Sequence, residues 1–212
     1  MNPAGRRVAQ AFGDVAAELL DWLAGVLSAP MAVATVAACR SREGAVLFAA
    51  IEDEFGDLPG IAAMRTAFDT AESDAQVAAR LSGCYMRLFE GPGGPATVSL
   101  YESTYANPAR LLHQQATADM ECILRRCDLA VRAGYGEPPD HVSLEVALLA
   151  SLLRNGDQMP AEDLRGRLMR WVPQVTAACA VADQTGFYRG ALTALRDTLV
   201  SLDSTLSHQD LP

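Results

Sequence analysis

The 212-residue chain contains no lysine: all 17 of its cations are arginine. That absence excludes Schiff-base catalysis and the lysine-dependent phosphate loop. Acids outnumber the arginines, 26 to 17, for a net charge of −9. Duplex nucleic acid and anionic membranes attract basic surfaces, so no nucleic-acid partner is expected. Basic peptides and neutral ligands stay open. Aromatic residues make up only 6% of the chain, and there are three histidines. The five cysteines, at 39, 84, 122, 127 and 179, form no CxxC pair. Cys122 and Cys127 do not share a helix face, which argues against zinc. The cysteines read as reduced thiols, buried as small hydrophobes in a cytoplasmic protein. Long apolar runs are missing as well. The longest uncharged stretch, Leu23 to Cys39, is 17 residues, rich in alanine and broken by Pro30. It is too short to span a bilayer, so no stable membrane insertion is expected.

What is present points to helices. Half the residues are hydrophobic and 37 are alanine, the best helix former. The length suits one domain with a sizeable core. Arg6-Arg7 resembles the start of a twin-arginine export signal, but Asp14, Glu18 and Asp21 interrupt the segment after it. Val8, Phe12, Val15, Leu19, Trp22 and Val26 instead keep the 3–4 spacing of an amphipathic helix. The acidity is uneven: residues 1–74 hold 11 acids and five arginines, while 75–212 hold 15 and 12.

Further helices are expected over 31–40, 44–55 and about 61–71. Ser73 and Gln76 match a capping box that opens the next helix, with Val77, Leu81, Tyr85 and Leu88 on one face. Residues 90–107 carry three glycines, two prolines and no helical period, and a connection of this length is usually functional or disordered. Leu100, Tyr101 and Tyr105 argue against disorder. Asn107-Pro108 restarts helix to about 132, with Asn as cap. Asp140 is a candidate cap for a helix over 141–154, and Pro160 starts another in which Pro173 is expected to kink or split the run. Leu195, Leu199, Leu202 and Leu206 mark the last. The expectation is an all-α, single globular bundle of roughly nine helices. It has a long Gly/Pro loop at 90–107 and a hinge near 132–140, which is the candidate sub-boundary of a single 1–212 domain.

Catalysis is not expected. No HExxH is present, Glu52-Asp53-Glu54 scatters around a helix as a solvated face, and Gly91-Pro92-Gly93-Gly94 lacks the dinucleotide spacing. His141 comes directly after Asp140, an arrangement that does not orient an imidazole, and no GxSxG turn supplies a nucleophile.

Five motifs remain, in order. Tyr85-x-x-Leu88-Phe89 precedes Gly91-Pro92; then come Leu100-Tyr101-Glu102-Ser103-Thr104-Tyr105 and Glu137-Pro138-Pro139-Asp140-His141, the latter leading into Leu144, Leu148 and Leu149. Trp171-Val172-Pro173 and Phe187-Tyr188 complete the set. Together they resemble the TorD/DmsD/NarJ family of redox-enzyme maturation chaperones over about 80–206. The family often carries Pro and Trp where this chain has Ser99-Leu100 and Tyr101, so the resemblance assigns no subfamily.

The resemblance implies a cytoplasmic, system-specific chaperone for a molybdopterin-containing reductase. Its partners would be that enzyme's twin-arginine leader peptide and its catalytic subunit. It would assist cofactor insertion and delay export until maturation, with no metal or resident cofactor of its own. A dimethyl sulfoxide/trimethylamine N-oxide reductase client leads; a nitrate-reductase type of chaperone is the alternative within the family. A GTP-responsive, weakly nucleotide-binding protein is the alternative outside it. Such a leader needs apolar surface and carboxylates that accept forked hydrogen bonds. The candidates are Tyr85, Leu88, Phe89, Leu100, Tyr101, Ser103 and Tyr105 for surface, Glu102, Glu137 and Asp140 for arginine, and His141 as Asp140's partner or a backbone anchor. Tyr85, Leu88 and Phe89 fit a core as well as a contact surface, and Asp140 fits a cap as well as an acceptor. The chain could be a monomer or a dimer swapped at the hinge.

Overall fold

The computed structural model describes residues 3–91, 97–106, 115–131, 134 and 136–207, with side chains from Phe12 to Asp203. Among these residues the chain forms ten helices: α1 (Pro3–Ser28), α2 (Val33–Arg40), α3 (Arg42–Phe55), α4 (Pro59–Phe68), α5 (Asp74–Leu88), α6 (Ser103–Ala106), α7 (Gln115–Arg126), α8 (Val142–Asn155), α9 (Gln158–Ala182) and α10 (Phe187–Ser207). The all-α expectation holds. The helix beyond the expected nine is α6, a single turn inside the segment read as a loop. Asn107-Pro108 and Gly93-Gly94 lie outside the described residues.

Local chemistry explains most boundaries. Ser73 and Gln76 close the capping box of α5 reciprocally. Gly156, left-handed at φ 73°, ends α8. Pro59 sits in the first turn of α4 and starts that helix two residues earlier than expected. Arg40 holds the turn before α5, donating to the carbonyls of Thr70 and Glu72 and to Asp74. Pro173 neither splits nor ends α9, which runs unbroken from Gln158 to Ala182.

Helices α1, α8, α9, α10 and α4 make the main core, with α1 laid along α8 and α10 pressed on α4 and α9. The face that α1 buries includes Ala16, Leu19, Leu20, Leu23, Val26 and Leu27. Leu19 and Val26 of the expected stripe lie in it, while Phe12, Val15 and Trp22 are half-buried, and Trp22 meets Phe48 of α3 edge-on at 5.5 Å. Removing this apolar surface from water supplies the main driving force. Asp183, between α9 and α10, accepts from Thr185 N (2.8 Å), Arg189 N (2.9 Å) and the Cys84 thiol (3.3 Å), tying that turn to α5. Cys84 and Cys179 are buried, and burial pushes both thiols up. Cys39 and Cys127 are half-buried and Cys122 is exposed, so burial of all five thiols is not what the fold provides.

Helices α4 and α10 touch backbone to backbone. A Cβ on Gly60 would stand 2.3 Å from Ala194 N and 2.4 Å from the Gly190 carbonyl oxygen. No flexible side chain can yield there, so the helices must part. Gly60→Ala should therefore destabilise the protein by about 1–3 kcal/mol while leaving it helical. Urea unfolding monitored by circular dichroism checks this, and an unchanged midpoint would contradict the close approach.

Candidate functional site

The sequence motifs meet where the segment 97–106 crosses the approach to α8. Residues Tyr101 and His141 form an antiparallel bridge. Glu102 N donates to the Asp140 carbonyl at 3.0 Å and Val142 N to the Leu100 carbonyl at 2.8 Å. Asp140, with no exposed surface, then uses both carboxylate oxygens. Oδ2 accepts from Ser103 N (3.1 Å), the first N–H of α6, and Oδ1 from Thr117 Oγ1 (2.9 Å) on α7. The expected cap of α8 is thus a cap for α6. His141 takes the α8 position: its Nδ1 faces Ser143 N at 3.2 Å and Ser143 Oγ at 2.7 Å. The imidazole lies edge-on to the Tyr101 ring at 5.0 Å. Burial, partly offset by Glu137 and Asp140, pushes His141 down to about 4, so it is neutral at pH 7.

Beneath this bridge lies a buried cluster of charge. Arg167 of α9 pairs with Glu102 and donates to the Ala116 carbonyl (2.8 Å); its Nε stands 4.0 Å from Glu145 Oε1. Trp171 Nε1 donates to Glu145 Oε2 at 3.4 Å. Burial and then the adjacent Glu102 hold Glu145 protonated well above the usual carboxylate range, while Arg167 works the other way. Burial also raises Glu102, against the pull of Arg167. Glu145 Oε1 has no hydrogen-bond donor among the described residues. A proton between the two carboxyls satisfies it and leaves one net negative charge to face one guanidinium.

The candidate residues divide accordingly. Tyr85, Leu88 and Leu100 are core side chains, and Tyr85 donates to the Leu27 carbonyl. Phe89 is half-buried on Tyr85 and Tyr188. Ser103 and Asp140 are wholly buried, and His141 and Glu102 nearly so. Tyr105 stacks on Trp171 at 5.7 Å and donates to the Ser99 carbonyl. Glu102, expected as an acceptor for a ligand's arginine, is held by the chain's own Arg167. Of the candidates, Tyr101, Glu137, Phe89 and Tyr105 keep partial exposure. The Tyr101 hydroxyl donates to Glu137, and burial, then that carboxylate, keeps the phenol protonated.

Glu137 also opens onto a groove of about 360 Å³, which shares Glu137 and Pro139 with the Glu137–His141 motif and takes the rest of its lining from α7 and residues 129–131, where no motif lies. Leu124, Leu129, Val131 and Pro139 supply its apolar wall, and Glu121 faces it from α7. Glu121 meets Arg125 at 3.7 Å, with both side chains more than half exposed. Such a pair contributes about 0–1 kcal/mol, leaving the carboxylate open to exchange. No group of three or more His, Cys, Asp or Glu side chains among the described residues is placed to hold a metal ion. No helix among them is long and apolar enough to cross a membrane.

The sequence model of the nitrate reductase delta subunit family matches residues 53–180, more than half of the chain. The chain belongs to this family. It is the group that the TorD/DmsD/NarJ resemblance names. The chain is 26% identical over 207 residues to the chaperone protein TorD of Aliivibrio fischeri, covering 91% of this chain and 94% of that protein. It is 27% identical over 206 residues to the chaperone protein TorD of Salmonella arizonae, covering 92% and 80%. The family match encloses the bridge, the buried charge cluster and the groove, and leaves out α1, α2, most of α3 and all of α10.

Asp140 and His141 can each be tested for the role the geometry gives them. Asp140→Ala removes the acceptor of two buried donors and should cost about 2–3 kcal/mol. Hydrogen exchange at Ser103 and Thr104 should accelerate ahead of the core; uniform exchange would contradict the capping role. For His141, above about pH 6.5 the imidazole is neutral in both folded and unfolded chains. Between about pH 6.5 and 4 the unfolded chain takes up a proton that the folded chain refuses, so stability falls as pH falls, by up to about 3 kcal/mol. His141→Asn keeps a capping oxygen and should flatten that slope in urea unfolding. Parallel slopes for the two proteins would contradict it.

Proposed function

We propose that this chain is a non-enzymatic, cytoplasmic chaperone that binds the twin-arginine leader peptide and the apo catalytic subunit of a molybdopterin-containing reductase of the dimethyl sulfoxide/trimethylamine N-oxide type. It assists cofactor insertion and delays export until the enzyme is mature. Family membership and full-length relatives that are named chaperones support the class. The observation that carries the ligand is the groove: an apolar wall flanked by the carboxylates of Glu121 and Glu137, with Glu121 shared with the lining Arg125 through an exposed, weak pair.

A twin-arginine leader is a guanidinium pair followed by an apolar segment. Leu124, Leu129, Val131 and Pro139 suit the apolar part, and each carboxylate accepts a forked pair of hydrogen bonds from one arginine. The Tyr101 hydroxyl, already donating to Glu137, fixes the direction of that carboxylate. The chain's −9 charge assists the encounter at low salt, while the two placed carboxylates provide the recognition. The family description favours a second reading, with a nitrate reductase as client. The two readings differ in client and not in surface.

The test is titration of synthetic leaders of both enzyme types into the purified protein. The expected result is binding that weakens at least tenfold, about 1.4 kcal/mol, in Glu121→Gln/Glu137→Gln and when both leader arginines become lysine. Which leader binds decides between the two clients. Failure of both leaders to bind would sink the proposal. Binding untouched by the double substitution would remove the groove from it.

A further inference from the structure

Helix α3 carries two stripes on opposite faces. The inner one is Gly44, Phe48 and Ile51, with Phe55 half-buried beyond them, and α3 packs on α1 and α2. Phe48 meets Trp22 and Phe55 meets Phe12, at 5.5 and 5.0 Å between ring centres. A Cβ on Gly44 would stand 2.4 Å from the Ala38 carbonyl oxygen, so the corner between α2 and α3 is tightly closed. Arg42, Val46, Ala49 and Asp53 lie half a turn from the inner stripe, at 100° per residue, and all four are exposed.

This outer stripe is not the polar face that a surface helix ordinarily shows to water. Val46 is 64% exposed and Leu47 beside it 46%. Ala45 and Ala50 flank the stripe and are exposed as well. The charges stand at its two ends, Arg42 in the first turn of α3 and Asp53 in the last. Neither side chain has an ion pair or hydrogen bond with any described residue. Glu52, by contrast, is taken by Arg65 of α4. Arg42, Val46, Ala49 and Asp53 follow one another at steps of four, three and four residues, the spacing of a coiled-coil seam.

We propose that the outer face of α3 is a two-fold interface, on which the α3 of a second copy of this chain lies antiparallel. With the axis between positions 47 and 48, Val46 of one copy meets Ala49 of the other, and Ala45 lies across from Ala50. Arg42 then comes opposite Asp53 at both ends, so one pairing satisfies four free charges. Glu43 and Glu54 stay at the edge of the stripe, in the solvent rim of the pair, where salt screens them. The ends of the stripe differ in sign, so it complements itself in reverse, whereas a basic partner would set its own cations against Arg42. The seam runs for about 17 Å. That is the low end of the interface size range, so the dimer is one that dissociates on dilution. It needs no exchange of elements at the 132–140 hinge. It uses none of the groove's residues, so it stands apart from the chaperone reading.

Sedimentation velocity of the purified chain over a concentration series is the test. The expected result is a monomer–dimer equilibrium with a Kd on the order of 10 μM. Arg42→Asp and Asp53→Arg should each weaken it at least tenfold, because each sets like charges together. The double reversal Arg42→Asp/Asp53→Arg should restore it. Val46→Asp, which puts a charge in the middle of the seam, should leave only monomer. All these positions are exposed, so circular dichroism should match the wild type. A chain that stays monomeric at millimolar concentration overturns the proposal, whatever peptide this face then captures. So does a dimer indifferent to the single reversals, which is what a hinge-swapped dimer would give, or one that the double reversal fails to restore.

Discussion

The short antiparallel bridge between Tyr101 and His141 is the contact on which the rest of the site depends. It joins a segment with little helical structure of its own to the start of α8 through two backbone hydrogen bonds, Glu102 N to Asp140 O and Val142 N to Leu100 O. Each side chain near it then has one task. Asp140 caps α6 and holds Thr117 of α7. His141 caps α8. Glu102 is delivered to Arg167 of α9, and Tyr101 to Glu137. Without the bridge, residues 101–106 lose their backbone tie to the start of α8, and the charge cluster loses the register that delivers Glu102.

The charge cluster is a demanding way to hold that register. Burying the ions of Glu102 and Arg167 costs several kcal/mol each, the neutral Glu145 carboxyl is buried beside them, and a hydrophobic trio of similar volume could be at least as stable. What the ions add is direction. Glu102 has to meet Arg167, because either one alone would be a buried unpaired charge. The Glu145 proton and the Trp171 indole satisfy the remaining carboxyl oxygens. A slip of the segment by one residue would turn Glu102 to the other face and leave Arg167 without its partner.

How much of this was legible in the sequence depends on the physics of each signal. Helix periodicity and the Ser73 capping box are local, and both appear in the structure much as they read. Pro173 warned of a break that did not come: it lies on the exposed face of α9, while Trp171, Val172, Val175 and Thr176 bury the opposite face on either side of it. The one-turn helix α6 had no period to read; it exists because Asp140, 37 residues on, caps it. Asp140 reads as the cap of α8 because it stands just before that helix in the chain, and its contact with Ser103 leaves no local trace. Glu145 and Arg167 did leave a trace, each being a charge on an apolar stripe, between Val142 and Leu148/Leu149 and between Leu164 and Trp171. Such a charge signals a buried partner. Which partner it finds is set by how the helices pack, and the sequence holds no local record of that.

A second concavity, of about 330 Å³ between α7 and α9, also alters the meaning of the acidic composition. An overall −9 suggests a surface of one sign, yet α7 separates two concave sites of opposite sign. Glu121 and Glu137 face one, and Arg126, Arg167 and Arg170 face the other. Helix α7 is held against α9 by Arg167 at the Ala116 carbonyl and against the bridge by Thr117 at Asp140. Both ties lie in its first turn, while both sites use its last two turns. Met120, wholly buried at the middle of α7, adds an apolar contact between those ties and the two concave faces. Arg167 and Asp140 both touch the 101–106 segment directly, Arg167 through Glu102 and Asp140 through Ser103. The helix that divides the two concavities is thus fixed by the same buried bridge that fixes the fold around them.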